Sequence, residues 1–137
     1  MQGKTAIARI LKAEGVEHLT CFPNNAIIEA SAIEGIRPVT ARTERVAVNI
    51  ADGLARVTNG RRIGVCAVQY GPGSENAFGG IAQAYGDGTP VLLLPGGVER
   101  PRQGVTPNFQ AIHNYREVTK WVETVNAAAR IPQMMRR

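Results

Sequence analysis

The chain has 137 residues and a formal net charge of +5, and 44% of its residues are apolar. This composition is typical of one globular domain and excludes a disordered chain or a large multidomain protein. The basic excess does not predict nucleic-acid binding, because the paired basic residues are Arg61 with Arg62 and Arg136 with Arg137, and no basic stripe carries interleaved aromatic residues.

The apolar runs are short, far below the ~18 residues that a membrane-spanning helix requires. No membrane segment or signal sequence is therefore predicted. Cys21 and Cys66 each lie inside an apolar run, which predicts buried, reduced thiols and argues against a disulfide or a zinc site. We expect a cytoplasmic domain.

Hydrophobic periodicity and turn residues predict five elements in the first part of the chain. In order, these are a helix over residues 3–14, a strand over 16–22, a helix over 26–34, a strand over 36–41 and a helix over 44–57. Pro38 interrupts the second strand, and Thr43 is a hydroxyl N-cap for the third helix. The predicted buried stripe of that helix comprises Val46, Ala47, Ile50, Ala51 and Leu54.

The second part of the chain continues the alternation. Its predicted elements are a strand over residues 63–68, a helix over 74–85, a strand over 91–94, a weaker strand over 118–122 and a final helix over 126–137. The first of these strands is almost continuously apolar, as expected for a strand covered on both faces.

Alternating helices and apolar strands predict a single doubly wound α/β domain over residues 1–137, with a mainly parallel sheet and helices on both faces. Ligands of such sheets bind beyond the carboxyl ends of the strands. The loops at residues 23–25, 42–44, 69–76 and 95–110 are therefore the candidate binding loops.

Two features of these loops have more than one interpretation. Gly71, Pro72 and Gly73 join a strand to a helix, either as a tight turn that needs glycine or as a loop whose backbone N–H groups approach an anion. Glu44 begins a helix, either as a first-turn acid that favours the helix dipole or as a carboxylate that exchanges a proton in a cleft. The spacing of His18 and His113 does not suggest a metal site.

Several segments together resemble the N-terminal, pyrimidine-binding domain of thiamine-diphosphate-dependent enzymes, and are most similar to the large subunit of acetolactate synthase. The resemblance is carried by the following segments: residues 15–25, residues 42–60 with Glu44, Ala51, Gly53, Ala55 and Arg56 in register, residues 71–76, Ala84 with Tyr85, residues 87–90, Phe109 with Gln110, and Thr119 with Lys120. Each segment alone is unspecific, but their order and spacing extend over more than a hundred residues.

The resemblance implies a role for each matching residue. Glu44 matches the glutamate that hydrogen-bonds N1′ of the cofactor's aminopyrimidine, favouring the imino tautomer whose 4′-nitrogen removes the proton from thiazolium C2 before attack on a 2-keto acid. Pro23 and Asn24 would lie against the pyrimidine ring, and Gln110 would lie on the substrate side. The residues that would line the cofactor cleft are Gly71, Pro72, Gly73 and Asn76.

The sequence also departs from the family pattern. Asn24 stands where the family has glycine, although Asn tolerates the left-handed conformation better than most residues. Gln69, Tyr70 and Glu75 replace the usual residues around the Gly-Pro-Gly turn. These departures affect the expected identity of the substrate more than that of the cofactor.

The resemblance covers one half of a cofactor site. Gly86, Asp87 and Gly88, with Asn114, imitate the motif that binds magnesium and diphosphate, but the motif's strand context is missing. We therefore expect no metal ligand in the chain, and expect Mg²⁺ to be bound only by an absent diphosphate-binding domain.

That domain would come from a homodimer or from a partner chain, and this chain alone would be inactive. We also expect the domain to be truncated before its last strand. The alternatives are a non-catalytic α/β assembly domain and a phosphate-binding module.

Overall fold

A computed structural model describes residues 1–107 and 109–137. Its longer elements are α1 (Gly3–Ala13), β1 (His18–Phe22), α2 (Ala26–Ile33), β2 (Arg37–Thr40), α3 (Glu44–Val57), β3 (Gly64–Val68), α4 (Pro72–Gly86) and β4 (Val91–Pro95). Two short helices follow, α5 (Ala111–Tyr115) and α6 (Ile131–Met134). Single 3₁₀ turns lie at Arg100–Arg102, Arg116–Val118 and Ala128–Arg130. In the part of the chain that the structure describes, no helix is long and apolar enough to cross a membrane.

The four strands form one parallel sheet in the order β2-β1-β3-β4. This confirms the predicted doubly wound α/β class. Pro38 lies on the edge strand β2, opposite Leu19 of β1, where a residue without an N–H is tolerated. The central strand β3 is buried at every position, as its unbroken apolar run predicts.

Helices cover both faces of the sheet, and successive residues of β3 point to opposite faces. Val65 and Ala67 belong to the core cluster beneath α1, α2 and α6, whereas Cys66 and Val68 belong to the cluster beneath α3 and α4. Cys21 lies in the first cluster. The two cysteines are free and buried, as predicted, and they face opposite sides of the sheet.

Helix α3 begins and ends at the predicted residues, and the Thr43 hydroxyl accepts a hydrogen bond from the Val46 N–H at 3.3 Å. The predicted buried stripe is partly wrong, because Val46 and Ile50 are 44% and 39% exposed and Leu54 is half-buried. The residues that α3 buries against its neighbours are Ala47, Val48, Ala51 and Ala55, together with Glu44 and Asp52.

The reason for this difference is a close approach between backbones. A Cβ on Gly64 would overlap the backbone carbonyl group of Ala51. Helix α3 therefore lies so close to β3 that alanine fits on the contacting face and larger side chains do not, which turns Val46 and Ile50 outward.

Two predictions for the C-terminal segment are wrong. Residues 118–122 form no strand: Val118 and Val122 pack against the core beneath α3 and α4 instead of pairing with β4. The helix predicted over residues 126–137 is divided into a 3₁₀ turn and α6. Pro132 lies in the first turn of α6, where it starts a helix more readily than it continues one.

The contact between α3 and β3 generates a stability prediction. Gly64→Ala should lower the free energy of unfolding by about 1–3 kcal/mol or more, because the added methyl group overpacks a backbone contact. Denaturant unfolding followed by circular dichroism measures the change. Gly53→Ala is the matched control, since a Cβ on Gly53 meets nothing within 4 Å and alanine favours a helix interior. Equal stability of the Gly64→Ala variant and the wild type would contradict the packing described here.

Candidate functional site

The carboxyl edge of the sheet contains a topological switch point. From β1 the chain passes through α2 to β2 on one side, and through α3 it then returns across β1 to β3 on the other side. Loops that leave adjacent strands in opposite directions create a crevice at this edge. The turn at residues 23–25, the start of α3 and the turn at residues 69–71 border it.

Glu44 lies at this edge as the first residue of α3 and is 6% exposed. Its Oε2 accepts a hydrogen bond from Asn76 Nδ2 at 3.2 Å. A Cβ on Gly73 would lie 3.3 Å from Oε1 and 3.3 Å from the side chain of Gln69, so glycine at this position permits the close approach of α4 to the carboxylate. The structure thus brings together Glu44, Gly73 and Asn76, which the resemblance assigns to one site.

The Glu44 carboxylate has few partners in the described structure. Within residues 1–107 and 109–137, no Lys, Arg or His forms an ion pair with this carboxylate, and Asn76 supplies its one hydrogen bond. The N–H groups of the first turn of α3 offer a partial positive charge at this end of the helix. A carboxylate has about four acceptor positions, so Glu44 retains the capacity to bind a donor from outside the chain.

The turn before α4 has a conformation that requires glycine. Gly71 has φ 61° and ψ −117°, a region that residues with a Cβ rarely adopt. Pro72 follows within the first turn of α4, where its fixed φ suits the helix. The tight-turn interpretation is therefore correct for Gly71, whereas a side chain on Gly73 would crowd Gln69 and Glu44.

Two buried groups with raised pKa values, Cys66 and Tyr115, belong to the core cluster beneath α3 and α4. Burial raises the pKa of the Cys66 thiol to about 12, and the negative charge of Glu44 contributes to the increase, so Cys66 stays a neutral thiol. Burial also raises the pKa of Tyr115, with a contribution from Cys66. The Tyr115 hydroxyl donates to the Ser74 carbonyl at 2.6 Å, and its ring meets Phe78 edge-on at 5.4 Å. These contacts attach α5 to the start of α4.

Pro23 and Asn24 are exposed at the same edge of the sheet. Asn24 does not adopt the left-handed conformation, which asparagine tolerates better than most residues. Among the non-glycine residues that the structure describes, Asn59 is the one with a positive φ. Asn24 therefore replaces glycine without backbone strain.

Asn25 has a role that the sequence analysis missed. Its Oδ1 accepts from the Ile27 N–H at 2.9 Å and caps α2, which its position in the turn indicated. Its Nδ2 also donates to the carbonyl of Val68 at 2.8 Å and to that of Leu94 at 2.9 Å. No pattern along the chain reveals these two bonds, because their partners lie 43 and 69 residues away.

Gln110 and Tyr70 lie on other parts of this edge. Gln110 precedes α5, is exposed, and its Oε1 lies 3.0 Å from His113 Nε2. In the described structure it makes no contact with Glu44. Tyr70, one of the residues that departs from the family pattern, lines a cavity of about 220 Å³ with Gly97, Val98, Glu99 and Arg102.

The sequence that imitates a metal motif does not form one site. Asp87 caps the end of α4 and accepts from Arg56 Nη2 at 2.6 Å, and Arg56 Nε donates to Asp52 at 2.8 Å. Asn114 directly precedes Tyr115, whose hydroxyl donates to the Ser74 carbonyl at the start of α4. The helical rise from Ser74 to Asp87 is about 20 Å, so Asp87 and Asn114 lie near opposite ends of α4.

The fold and site define a class of protein: an α/β domain that presents a buried glutamate at the switch point of a parallel sheet. Residues 1–126 match the family described as thiamine pyrophosphate enzyme, N-terminal TPP binding domain. The chain belongs to this family, and it is a domain of the thiamine-diphosphate-dependent enzymes.

Curated relatives carry a consistent name. The chain is 34% identical, over 100% of its length, to the acetolactate synthase isozyme 3 large subunit of Escherichia coli. It is 32% identical, over 99% of its length, to the probable acetolactate synthase large subunit of Methanocaldococcus jannaschii. It spans 25% and 24% of these two relatives, about a quarter of their length.

The anchoring of α5 to α4 generates a second stability prediction. Tyr115→Phe should lower the free energy of unfolding by roughly 1 kcal/mol, because it removes one buried hydrogen bond and keeps the ring contact. Thermal unfolding measures the loss. Tyr85→Phe provides the control, since Tyr85 is 48% exposed. The anchoring role would be wrong if both variants melted at the wild-type temperature.

Proposed function

We propose that the chain binds the aminopyrimidine end of thiamine diphosphate and forms the pyrimidine-side half of the active site of an acetolactate-synthase-like enzyme acting on 2-keto acids. The observation that carries the proposal is the environment of Glu44: a buried carboxylate with one hydrogen-bond donor and no cationic partner in the described chain.

The chemistry of these residues fits an aminopyrimidine. A carboxylate can share a proton with a ring nitrogen, and it does so most effectively where little water competes. Asn76 occupies Oε2 by donating to it. In the described structure Oε1 accepts no hydrogen bond, so Oε1 is the oxygen that would meet the ring. Pro23 and Asn24 on one side, and Gly71 and Pro72 on the other, would border the ring.

In this proposal Glu44 is the catalytic residue of the chain. It holds and returns the proton at N1′, and Asn76 maintains the orientation of its carboxylate. Thiamine diphosphate, when bound, supplies the nucleophilic carbon and the electron sink for cleavage beside a ketone. Gln110 would contact the substrate side, and the cavity beside Tyr70 would influence which 2-keto acid enters.

The diphosphate end of the cofactor requires groups from another domain. The described residues include no cluster of three or more His, Cys, Asp or Glu side chains that could hold a metal ion. We propose that a second copy of the same protein, in a homodimer, or a partner chain supplies the diphosphate site and its Mg²⁺, and that the chain alone is inactive. Family members that match it are about four times as long, which supports this arrangement. The free, buried cysteines are consistent with a cytoplasmic location.

Calorimetry tests the division of the cofactor site. The full chain is titrated with thiamine diphosphate and MgCl₂, alone and mixed with a second chain that carries the three-quarters of the Escherichia coli relative not matched here. Saturable binding should require the mixture, because each component holds one end of the cofactor. Binding of the same strength to either component alone would contradict the division, and no binding by the mixture would favour a non-catalytic assembly domain.

Glu44→Gln tests the chemistry in the mixed complex. The variant keeps the shape of the side chain but cannot take up the proton, so exchange of the thiazolium C2 proton should slow by roughly 10²–10⁴-fold. Nuclear magnetic resonance in D₂O measures this rate. Glu29→Gln is the matched control: Glu29 also lies in the first turn of a helix, but its side chain is 71% exposed. Exchange at the wild-type rate in Glu44→Gln would disprove the assigned role.

A further inference from the structure

Asn25 connects three backbone elements at the carboxyl edge of the sheet. One side chain caps the start of α2, binds the last residue of β3 and binds the fourth residue of β4. The assignment of its amide atoms follows from the partners, because two carbonyl groups require N–H donors and the Ile27 N–H requires an acceptor. Both amide hydrogens and the amide oxygen are therefore in use.

The sheet itself provides few bonds at this point. Pro95 pairs with Val68 in the register of β3 and β4, but proline has no N–H to donate. The Gly96 N–H donates to the Val68 carbonyl at 2.8 Å, and Asn25 donates to the same carbonyl. The side chain of Asn25 thus adds hydrogen bonds at the point where the backbone pairing of β3 with β4 ends.

The location of Asn25 gives these bonds a consequence beyond stability. Asn25 directly follows the turn of Pro23 and Asn24, and Val68 lies three residues before Gly71. These are the two turns that the proposed function places on either side of the pyrimidine. We expect a change in the bonds of Asn25 to alter the spacing of the two turns, whereas Glu44 begins α3 and makes no described bond to Asn25.

We infer that Asn25 is a positioning residue that fixes the gap between the turn at residues 23–25 and the turn at residues 69–71, and thereby sets the affinity for the cofactor. This inference rests on the proposed function for its ligand. Its geometric part, the attachment of three elements by one amide, is independent of the ligand.

The principal test is Asn25→Ser in the mixed complex. Serine keeps an oxygen that caps α2 but cannot donate to the two carbonyl groups. The Kd for thiamine diphosphate should rise about tenfold or more, because small displacements of binding groups are costly. At saturating cofactor the exchange rate of the C2 proton should stay near the wild-type rate, since Glu44 is unchanged. Glu44→Gln should give the opposite pattern, a slow exchange with a smaller change in Kd.

Thr20→Val is the matched control. It removes the buried hydrogen bond from Thr20 Oγ1 to the Val65 carbonyl at 3.1 Å, which joins β1 to β3 away from the carboxyl edge. The control should lower the melting temperature and leave Kd unchanged. An unchanged Kd in Asn25→Ser, or equal rises in Kd in both variants, would overturn the inference.

A second measurement separates the inference from the proposed function. In the full chain alone, Asn25→Ser should accelerate amide hydrogen exchange of Gly96 about tenfold and leave that of Ile27 nearly unchanged, because the cap remains. Unchanged exchange of Gly96 would overturn the inference even if the wild-type complex binds no cofactor. If Asn25→Ser does not fold, Asn25→Gln is the second test. Glutamine keeps both N–H donors but has one more methylene group, which should displace the turn by about one bond length, ~1.5 Å. Wild-type affinity for thiamine diphosphate in this variant would contradict the positioning role of Asn25.

Discussion

The contact between the backbone of α3 and the backbone of β3 determines where the site lies. Gly64 has no side chain, and the backbone carbonyl group of Ala51 in α3 lies where a Cβ on Gly64 would be. Ala47, Ala51 and Ala55 are fully buried along this contact. With α3 fixed on the sheet and capped by Thr43, its first residue can only lie at the carboxyl edge. The burial of Glu44 is thus a consequence of how the helix packs.

A second close approach places α4 against α3. A Cβ on Gly80 would lie 2.8 Å from Val48 Cγ1, so the two helices cross at a point where one contributes no side chain. Gly73 and Asn76 lie on the preceding turns of α4 and face Glu44 as a result. The positions of the carboxylate and of its donor are therefore set by two glycines that are remote from the chemistry, Gly64 and Gly80. Such rigid support is what a preorganised site requires.

Much of this architecture is predictable from the sequence. The order of the first eight strands and helices, the bounds of α3 and the full burial of β3 follow from periodicity and turn residues. The buried stripe of α3 does not, because its sequence offers two overlapping apolar faces, and only the distance to Gly64 selects the alanine face over Val46 and Ile50. The absence of a strand at residues 118–122 and the bonds of Asn25 depend on contacts between distant segments, which local patterns do not contain. Glu44 is a further case. A glutamate at a helix start fits both a dipole-stabilising acid and a proton-exchanging one, and only the fold shows that Glu44 is buried and has no cationic partner among the described residues.

The central claim is that the Glu44 carboxylate binds N1′ of the aminopyrimidine. A crystal structure of the mixed complex with thiamine diphosphate and Mg²⁺ tests it most directly. The account predicts a Glu44 oxygen about 2.6–3.2 Å from N1′, with the ring beside Gly73 and the Asn76 bond to Oε2 retained. A pyrimidine ring bound elsewhere, or a Glu44 carboxylate paired with a protein cation in the complex, would contradict the account.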